Sequence, residues 1–326
     1  DLADVFFNGK SSLRWSSNLF KDESGEVDDL LLTVSPGLEL NVGRGVSNAD
    51  LTLMSSYDVL RYQDRSEVDT ELAHVKALGS YESGRYELSA SASFDESQTA
   101  SAETADRGQL YESEVVRAGV EGEYRLSPKF AFGAGLDYSD SEYTSANAAG
   151  SFSDREELSI PVDLFYELTP KLDASLGYVR RDAEVGTGAG AANAYDQLSH
   201  FYNVGLRGEL LPKLDGFLKL GYRENEYTDR GMFGANFDLT YAVSNKLTSF
   251  LMLSRDFGVG GAGDSTENSS IKLRADYRIN PNYTISANLG YDLRDYQNDR
   301  NREDTQYSAG VRLSYVLNES VRFGAG

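Results

Sequence analysis

The chain has 326 residues, and 31 lysines and arginines stand against 52 aspartates and glutamates, a formal net charge of −21. This acidic excess argues against a nucleic-acid partner, and the absence of cysteine excludes disulfides and thiolate metal sites. The sequence contains no apolar run of about eighteen residues, so no transmembrane helix is expected, and any signal peptide is expected to have been removed.

Alternation of apolar and polar residues begins early and recurs along the chain. The first strand is predicted at about residues 5–19. In residues 32–42 the even positions are apolar or Pro36 and the odd positions are polar or glycine, and residues 158–168 and 283–293 alternate in the same way. A side-chain period of two is the signature of a β-strand. The sequence therefore predicts an all-β protein.

Short turns and longer polar segments alternate between these strands. Short turns are predicted at residues 43–48, 81–85, 127–129, 169–171, 211–213, 243–246, 280–282 and 317–319. Longer segments rich in acidic residues, glycine, serine and asparagine lie at 21–29, 96–108, 140–154, 182–197, 258–267 and 297–303. Short periplasmic turns and long extracellular loops are typical of outer-membrane β-barrels.

Tyrosines mark the two ends of the predicted strands on the apolar side. One set lies beside the short turns and comprises Tyr124, Tyr166, Tyr241, Tyr277, Tyr283 and Tyr315. A second set lies near the opposite strand ends and comprises Tyr138, Tyr178, Tyr222, Tyr291 and Tyr307. Two aromatic girdles flank the apolar band of a membrane barrel, so the apolar side is expected to meet lipid. A soluble sandwich would lack this placement, and a β-propeller is disfavoured because its repeat motifs are absent.

About seventeen strands are predicted, the last starting at Ser320, in a single barrel domain that covers residues 1–326. The alternation is still running at Gly326. We therefore expect the sequence to stop within the penultimate strand of an eighteen-stranded, transmembrane, antiparallel up-and-down barrel. A barrel of that size leaves a water-filled lumen unless something plugs it.

The inward-facing positions of the last strands carry a run of positive charge, which we call the basic track. Its members are Lys272, Arg274, Arg278, Arg294, Arg312 and Arg322, opposed in the same stretch by Asp276 and Asp292. Acidic residues elsewhere could also neutralise it. Four inward aromatics, Phe165, Phe201, Phe217 and Phe250, could offer stacking faces to sugar rings. Other inward charges are expected to form ion pairs between adjacent strands.

Several longer segments carry a family resemblance. They are SSNLFKDES at 16–24, LLLTVSPGLELNVGR at 30–44, VDLFYELTPKLDASLGY at 162–178 and LSRDFG at 253–258. They resemble the β-barrel porins linked to bacterial exopolysaccharide gene clusters. The resemblance implies an outer-membrane barrel that serves as the exit for a secreted polysaccharide. Its partners would be outer-membrane lipid, the polymer and periplasmic export components, with no cofactor.

Catalytic patterns are scarce. His74 and His200 are the only histidines, and neither stands in an arrangement typical of a nucleophilic site. The stretch GVGGAG at 258–263 matches a dinucleotide fingerprint formally, but a polar loop and a strand follow it instead of a helix. The sequence therefore favours a non-catalytic channel with no metal site. A structural or docking barrel within a larger envelope assembly is the alternative, and an outer-membrane enzyme is disfavoured.

Overall fold

The computed structural model describes residues 3–21, 25–43, 47–100, 110–145, 152–186, 194–261, 263–297 and 302–326. Apart from one short 3₁₀ turn at Ser66–Val68, the regular structure in these ranges is β-strand. None of the helical structure described is long and apolar enough to cross a membrane. The prediction of an all-β protein is confirmed.

Within the described residues, seventeen strands follow one another in chain order. They are β1 Ala3–Ser16, β2 Asp29–Val42, β3 Ala49–Tyr62, β4 Thr70–Ser83, β5 Tyr86–Ala100, β6 Leu110–Arg125, β7 Phe130–Ser145, β8 Arg155–Thr169, β9 Leu172–Val185, β10 Tyr195–Leu211, β11 Leu214–Asn225, β12 Arg230–Tyr241, β13 Leu247–Val259, β14 Ser265–Arg278, β15 Tyr283–Tyr296, β16 Glu303–Val316 and β17 Arg322–Ala325. This number agrees with the seventeen strands predicted.

The strands form one sheet of seventeen, and each register pairs a strand antiparallel with the next strand in sequence, from β1 with β2 to β16 with β17. This is the predicted up-and-down meander. Within the described ranges, the registers pair β1 and β17 on one side only, so these two strands are the edges of the curled sheet.

The two faces of the sheet differ as the alternation predicts. Large apolar side chains such as Leu176, Val204, Leu289 and Val311 are each about 60% exposed on the convex face. So much exposed apolar surface on one face is typical of contact with lipid. Charged and polar side chains alternate with these apolar residues along the strands and occupy the concave face.

Several strand ends differ from the sequence-based boundaries. The strands β5, β7 and β9 continue to Ala100, Ser145 and Val185, into segments that were predicted as loops. Ladder hydrogen bonds come from the backbone, so a polar segment can extend a hairpin beyond its apolar band. Likewise β1 begins and ends earlier than predicted, and β17 begins at Arg322. The predicted loop residues 22–24, 101–108, 146–151, 187–193, 262 and 298–301 lie outside the described residues.

Candidate functional site on the concave face of the sheet

Ion pairs between strands that are not neighbours identify the concave face. Arg207 on β10 pairs with Glu123 on β6, Lys219 on β11 with Asp163 on β8, and Arg181 on β9 with Asp256 on β13. Such contacts require the sheet to curl so that these side chains meet inside it. The sequence predicted inward charges but expected them to pair between adjacent strands. That expectation is confirmed for Arg207, which also pairs with Asp173 on adjacent β9. It missed the longer-range pairs, because curvature brings strands three or four positions apart within reach.

The first of these contacts lies near the short-turn end. The Arg207 guanidinium donates from Nη1 and Nη2 to the two Glu123 carboxylate oxygens, at 2.6 and 2.9 Å. Its Nε donates to Asp173 Oδ2 at 3.0 Å. The guanidinium carbon also lies 3.4 Å from the centre of the Phe165 ring. One arginine therefore joins β6, β8, β9 and β10.

The second contact lies further from the short-turn end. Lys219 Nζ donates to both Asp163 carboxylate oxygens, at 2.8 and 2.9 Å. A glycine makes room beside this pair, since a Cβ on Gly177 would lie 2.6 Å from Asn203 Oδ1 and closer still to Asp163. The small residue lets these polar side chains lie flat against the wall.

The third contact, the arginine clamp, consists of Arg181, Arg223 and Asp256. Arg181 Nη2 donates to Asp256 Oδ2 at 2.7 Å, and Arg223 Nη1 lies 2.9 Å from Asp256 Oδ1. The three residues each lie nine positions after the start of their strand, on β9, β11 and β13. Arg223 also stacks on Phe201, with its guanidinium carbon 3.7 Å from the ring centre. The clamp therefore lies toward the long-loop end.

A groove of about 1110 Å³ opens between the short-turn end and these contacts. Its lining includes Asp50, Glu87 and Glu121 on one side and Phe217 and Lys219 on the other. The lining combines carboxylates, serines and glycines with apolar side chains such as Leu88 and Val179. Its charged groups need water or polar partners, so the groove can hold water and a hydrophilic solute.

The basic track lies on the same face as the clamp. Registers connect Asp256 to Asn268 and Asn268 to Arg294, and paired residues project to one side of a sheet. Arg274 is neutralised by Asp276 on its own strand through bonds of 2.9 and 2.7 Å, and Arg294 donates to Asn268 Oδ1 at 3.3 Å. The remaining members, Lys272, Arg278, Arg312 and Arg322, form no ion pair with the rest of the described chain.

The four inward aromatics have different surroundings. Phe165 is 8% and Phe201 2% exposed, and a guanidinium covers each ring. These two rings therefore offer no open face to a sugar. Phe217 is 40% exposed and lines the groove. Arg274 lies 5.3 Å from the ring centre of Phe250.

Tyrosines of both predicted girdles contact aromatic rings on neighbouring strands. Near the short turns, Tyr124 lies 4.9 Å from Tyr86 and Tyr283 lies 4.6 Å from Tyr315, measured between ring centres. At the other strand ends, Tyr291 lies 5.3 Å from Tyr307. The remaining tyrosines of the two girdles are Tyr138, Tyr166, Tyr178, Tyr222, Tyr241 and Tyr277, placed on β7, β8, β9, β11, β12 and β14.

Five consecutive short turns carry a cation at the same place, which the sequence reasoning missed. Arg85, Lys129, Lys171, Lys213 and Lys246 each directly precede the second strand of their hairpin, and all are exposed. The backbone carbonyl of each of these residues accepts a hydrogen bond of 2.7–2.9 Å from a backbone N–H of the next hairpin. The five turns therefore hold the cations in a row, which we call the short-turn collar. The repeated PK and NK pairs in the sequence could have revealed it.

A comparison of the sequence with known protein families identifies the family of this chain. The chain matches the family described as "Putative beta-barrel porin 2" over residues 9–326. It belongs to this family of β-barrel porins. The porin is therefore a protein of the bacterial outer membrane. No curated protein matches it in sequence.

Solved structures show the same fold at low identity. The FrpB iron transporter from Neisseria meningitidis, F3-3 variant, is 10% identical with a TM-score of 0.54, over 98% of the porin and 64% of that chain. The apoprotein form of its F5-1 variant is 12% identical with a TM-score of 0.54, over 98% and 63%. The porin thus spans less than two thirds of the length of these proteins. Likeness at this identity extends to the fold alone.

Proposed function

We propose that this porin is a non-catalytic channel through which a secreted exopolysaccharide leaves the cell. The observation that carries the proposal is the groove of about 1110 Å³ on the concave face, which is lined in part by charged side chains and opens toward the short turns. In an outer-membrane barrel the short turns face the periplasm. A polymer delivered there would meet a wet, hydrogen-bonding wall.

Two sets of cations favour an anionic polymer. The short-turn collar lies along the part of the entrance between β4 and β13, where Lys171 is paired with Glu209. The unpaired members of the basic track lie on the concave face beyond it. The porin as a whole has a net charge of −21, so these cations are concentrated locally against the general trend. Positive charge at the mouth of a low-dielectric channel raises the local concentration of anions. The periplasmic export components proposed as partners would meet the porin at this same end.

Reconstitution in planar bilayers tests the proposal. We expect ion conductance, with interruptions when an acidic oligosaccharide such as oligogalacturonate enters from the short-turn side. A neutral maltooligosaccharide of equal length is the control and should interrupt the current less often. Deletion of the porin in its native host should leave the polysaccharide in the periplasm. Normal secretion by the deletion strain would contradict the proposed function.

A structural or docking barrel is the second candidate, and one observation favours it. The end of β13 and the start of β14 occupy part of the concave side at the long-loop end, as described below. If the lumen is permanently blocked there, the porin would hold other envelope components together. Bilayer records that stay closed for the wild type and for every hairpin variant described below would favour this second function.

A further inference from the structure

The end of β13 leaves the wall of the sheet. Its pairing with β12 stops at Ala235 and Arg255, although β12 begins at Arg230 and β13 continues to Val259. Beyond Arg255 the chain turns toward the concave side. We call residues 256–261 and 263–266 the folded-in hairpin.

The folded-in hairpin is bound to strands far along the wall. Arg155 and Arg181 donate to the carbonyl oxygens of Val259 and Phe257 at 3.3 and 3.2 Å. Ser153 N donates to the Gly261 carbonyl oxygen at 2.8 Å. These contacts reach β9 and β8, four and five strands from β13, and the segment just before β8. The hairpin therefore crosses the concave side instead of continuing along the wall at the long-loop end.

The folded-in hairpin fills the interior of the curled sheet at the long-loop end, as the burial of its side chains shows. Phe257 is 2% exposed and Val185, against which the tip packs, is 1% exposed. Ser265 and Thr266 are completely buried, although they lie at the start of a strand where loops usually meet water. At this end of the sheet the interior between β8 and β14 is packed with the porin's own chain.

The polar anchor of the hairpin is the arginine clamp. Arg223 has only 5% of its side chain exposed, and its neighbour Arg181 also faces Glu157 at 3.4 Å. Asp256 is the carboxylate that both guanidiniums share. Two converging guanidiniums are a built site for one carboxylate, because their donors match its oxygens in geometry and charge.

We propose that Arg181 and Arg223 form an anion site inside the lumen, that Asp256 occupies it at rest as an internal ligand, and that a carboxylate of a passing solute takes its place. Exchange would free the hairpin from the wall and open the long-loop end. The site is selective for carboxylate-bearing solutes, since a neutral sugar cannot compensate two buried cations. The identity of that solute as a polymer rests on the proposed function, whereas the internal gate does not.

A disulfide lock tests the gate. A Cβ on Gly263 would lie 3.1 Å from Ser153 Cβ, close to the spacing that disulfides need, and the chain has no native cysteine. We expect Ser153→Cys with Gly263→Cys to lower ion conductance severalfold when oxidised and to recover on reduction. The control pair, Gly290→Cys with Ser308→Cys, joins β15 to β16 at a Cβ distance of 3.7 Å and should leave conductance unchanged.

The disulfide lock places a side chain on Gly263, whose φ of 86° favours glycine. A charge variant tests the anion site without that backbone strain. We expect Asp256→Asn to open the channel severalfold more often than the wild type. Oligogalacturonate should open the wild type and have little further effect on the variant. Asp238→Asn, on the concave face of β12, is the control and should behave as the wild type.

The outcomes separate the two proposals. Unchanged conductance in the oxidised lock would overturn the gate. A lock that closes the channel, combined with a wild type that oligogalacturonate never opens, would overturn the exchange at the clamp. If gating is intact in bilayers but the deletion strain secretes normally, the proposed export function is contradicted and this inference stands.

Discussion

Arg207 and Glu123 are 84 residues apart in the sequence and form a two-pronged ion pair on the concave face. The pair joins strands four positions apart in the sheet, so it fixes the curvature of the wall between β6 and β10. Both side chains are partly exposed, and solvent therefore weakens the attraction.

Removing the charge of Glu123 should loosen this part of the barrel. We expect Glu123→Gln to lower the free energy of unfolding by about 1 to 2 kcal/mol, since it replaces two hydrogen bonds between ionised partners with one from the guanidinium to an uncharged amide oxygen. Urea unfolding in lipid vesicles measures it. Glu121→Gln, on the same face of β6, is the matched control. An equal loss in both variants would mean that the pair adds nothing specific.

The two faces of β15 should respond differently to arginine. Leu289 is 59% exposed on the convex face, so Leu289→Arg should cost about 2 to 4 kcal/mol near the middle of the membrane. Asn288→Arg places the same side chain on the concave face and should be tolerated far better. Heat stability of the folded band on gels compares them. Equal costs would point to a sheet that water reaches on both faces.

The basic track should set ion selectivity. Arg278→Gln combined with Arg312→Gln removes two unpaired cations from the concave face, and the reversal potential in a salt gradient should shift toward cations. Arg180→Gln combined with Arg255→Gln removes two cations from the convex face, because each is the sequence neighbour of a clamp residue and projects the opposite way. This control should leave selectivity unchanged. A shift of the same size in the control would exclude the basic track.

The short-turn collar should act on entry rather than on passage. Lys129, Lys171, Lys213 and Lys246 changed together to Gln should slow the capture of oligogalacturonate added on the short-turn side. Capture from the opposite side should stay the same. The measurement is the frequency of current blocks at several salt concentrations, because screening weakens steering by exposed charges. Replacement of the same lysines by arginine keeps the charge and should preserve the capture rate.

The alternation of side chains was sufficient to predict the strands, their number and the two faces. A period of two depends only on neighbours in the sequence, so Leu289 and Asn288 are assigned to opposite faces without any knowledge of the sheet. The short turns were equally local, because proline and asparagine restrict the chain within a few residues. The polar ends of β5, β7 and β9 escaped prediction because backbone pairing does not require apolar side chains.

Only the tertiary structure decided how the charged side chains meet. Arg181 and Asp256 lie on strands four positions apart, and nothing local to either residue indicates the other. The departure of β13 from β12 beyond Arg255 likewise depends on how far the wall curls and how much space remains inside it. Sequence alone therefore determined which residues face inward, while the curvature of the sheet determined which of them touch.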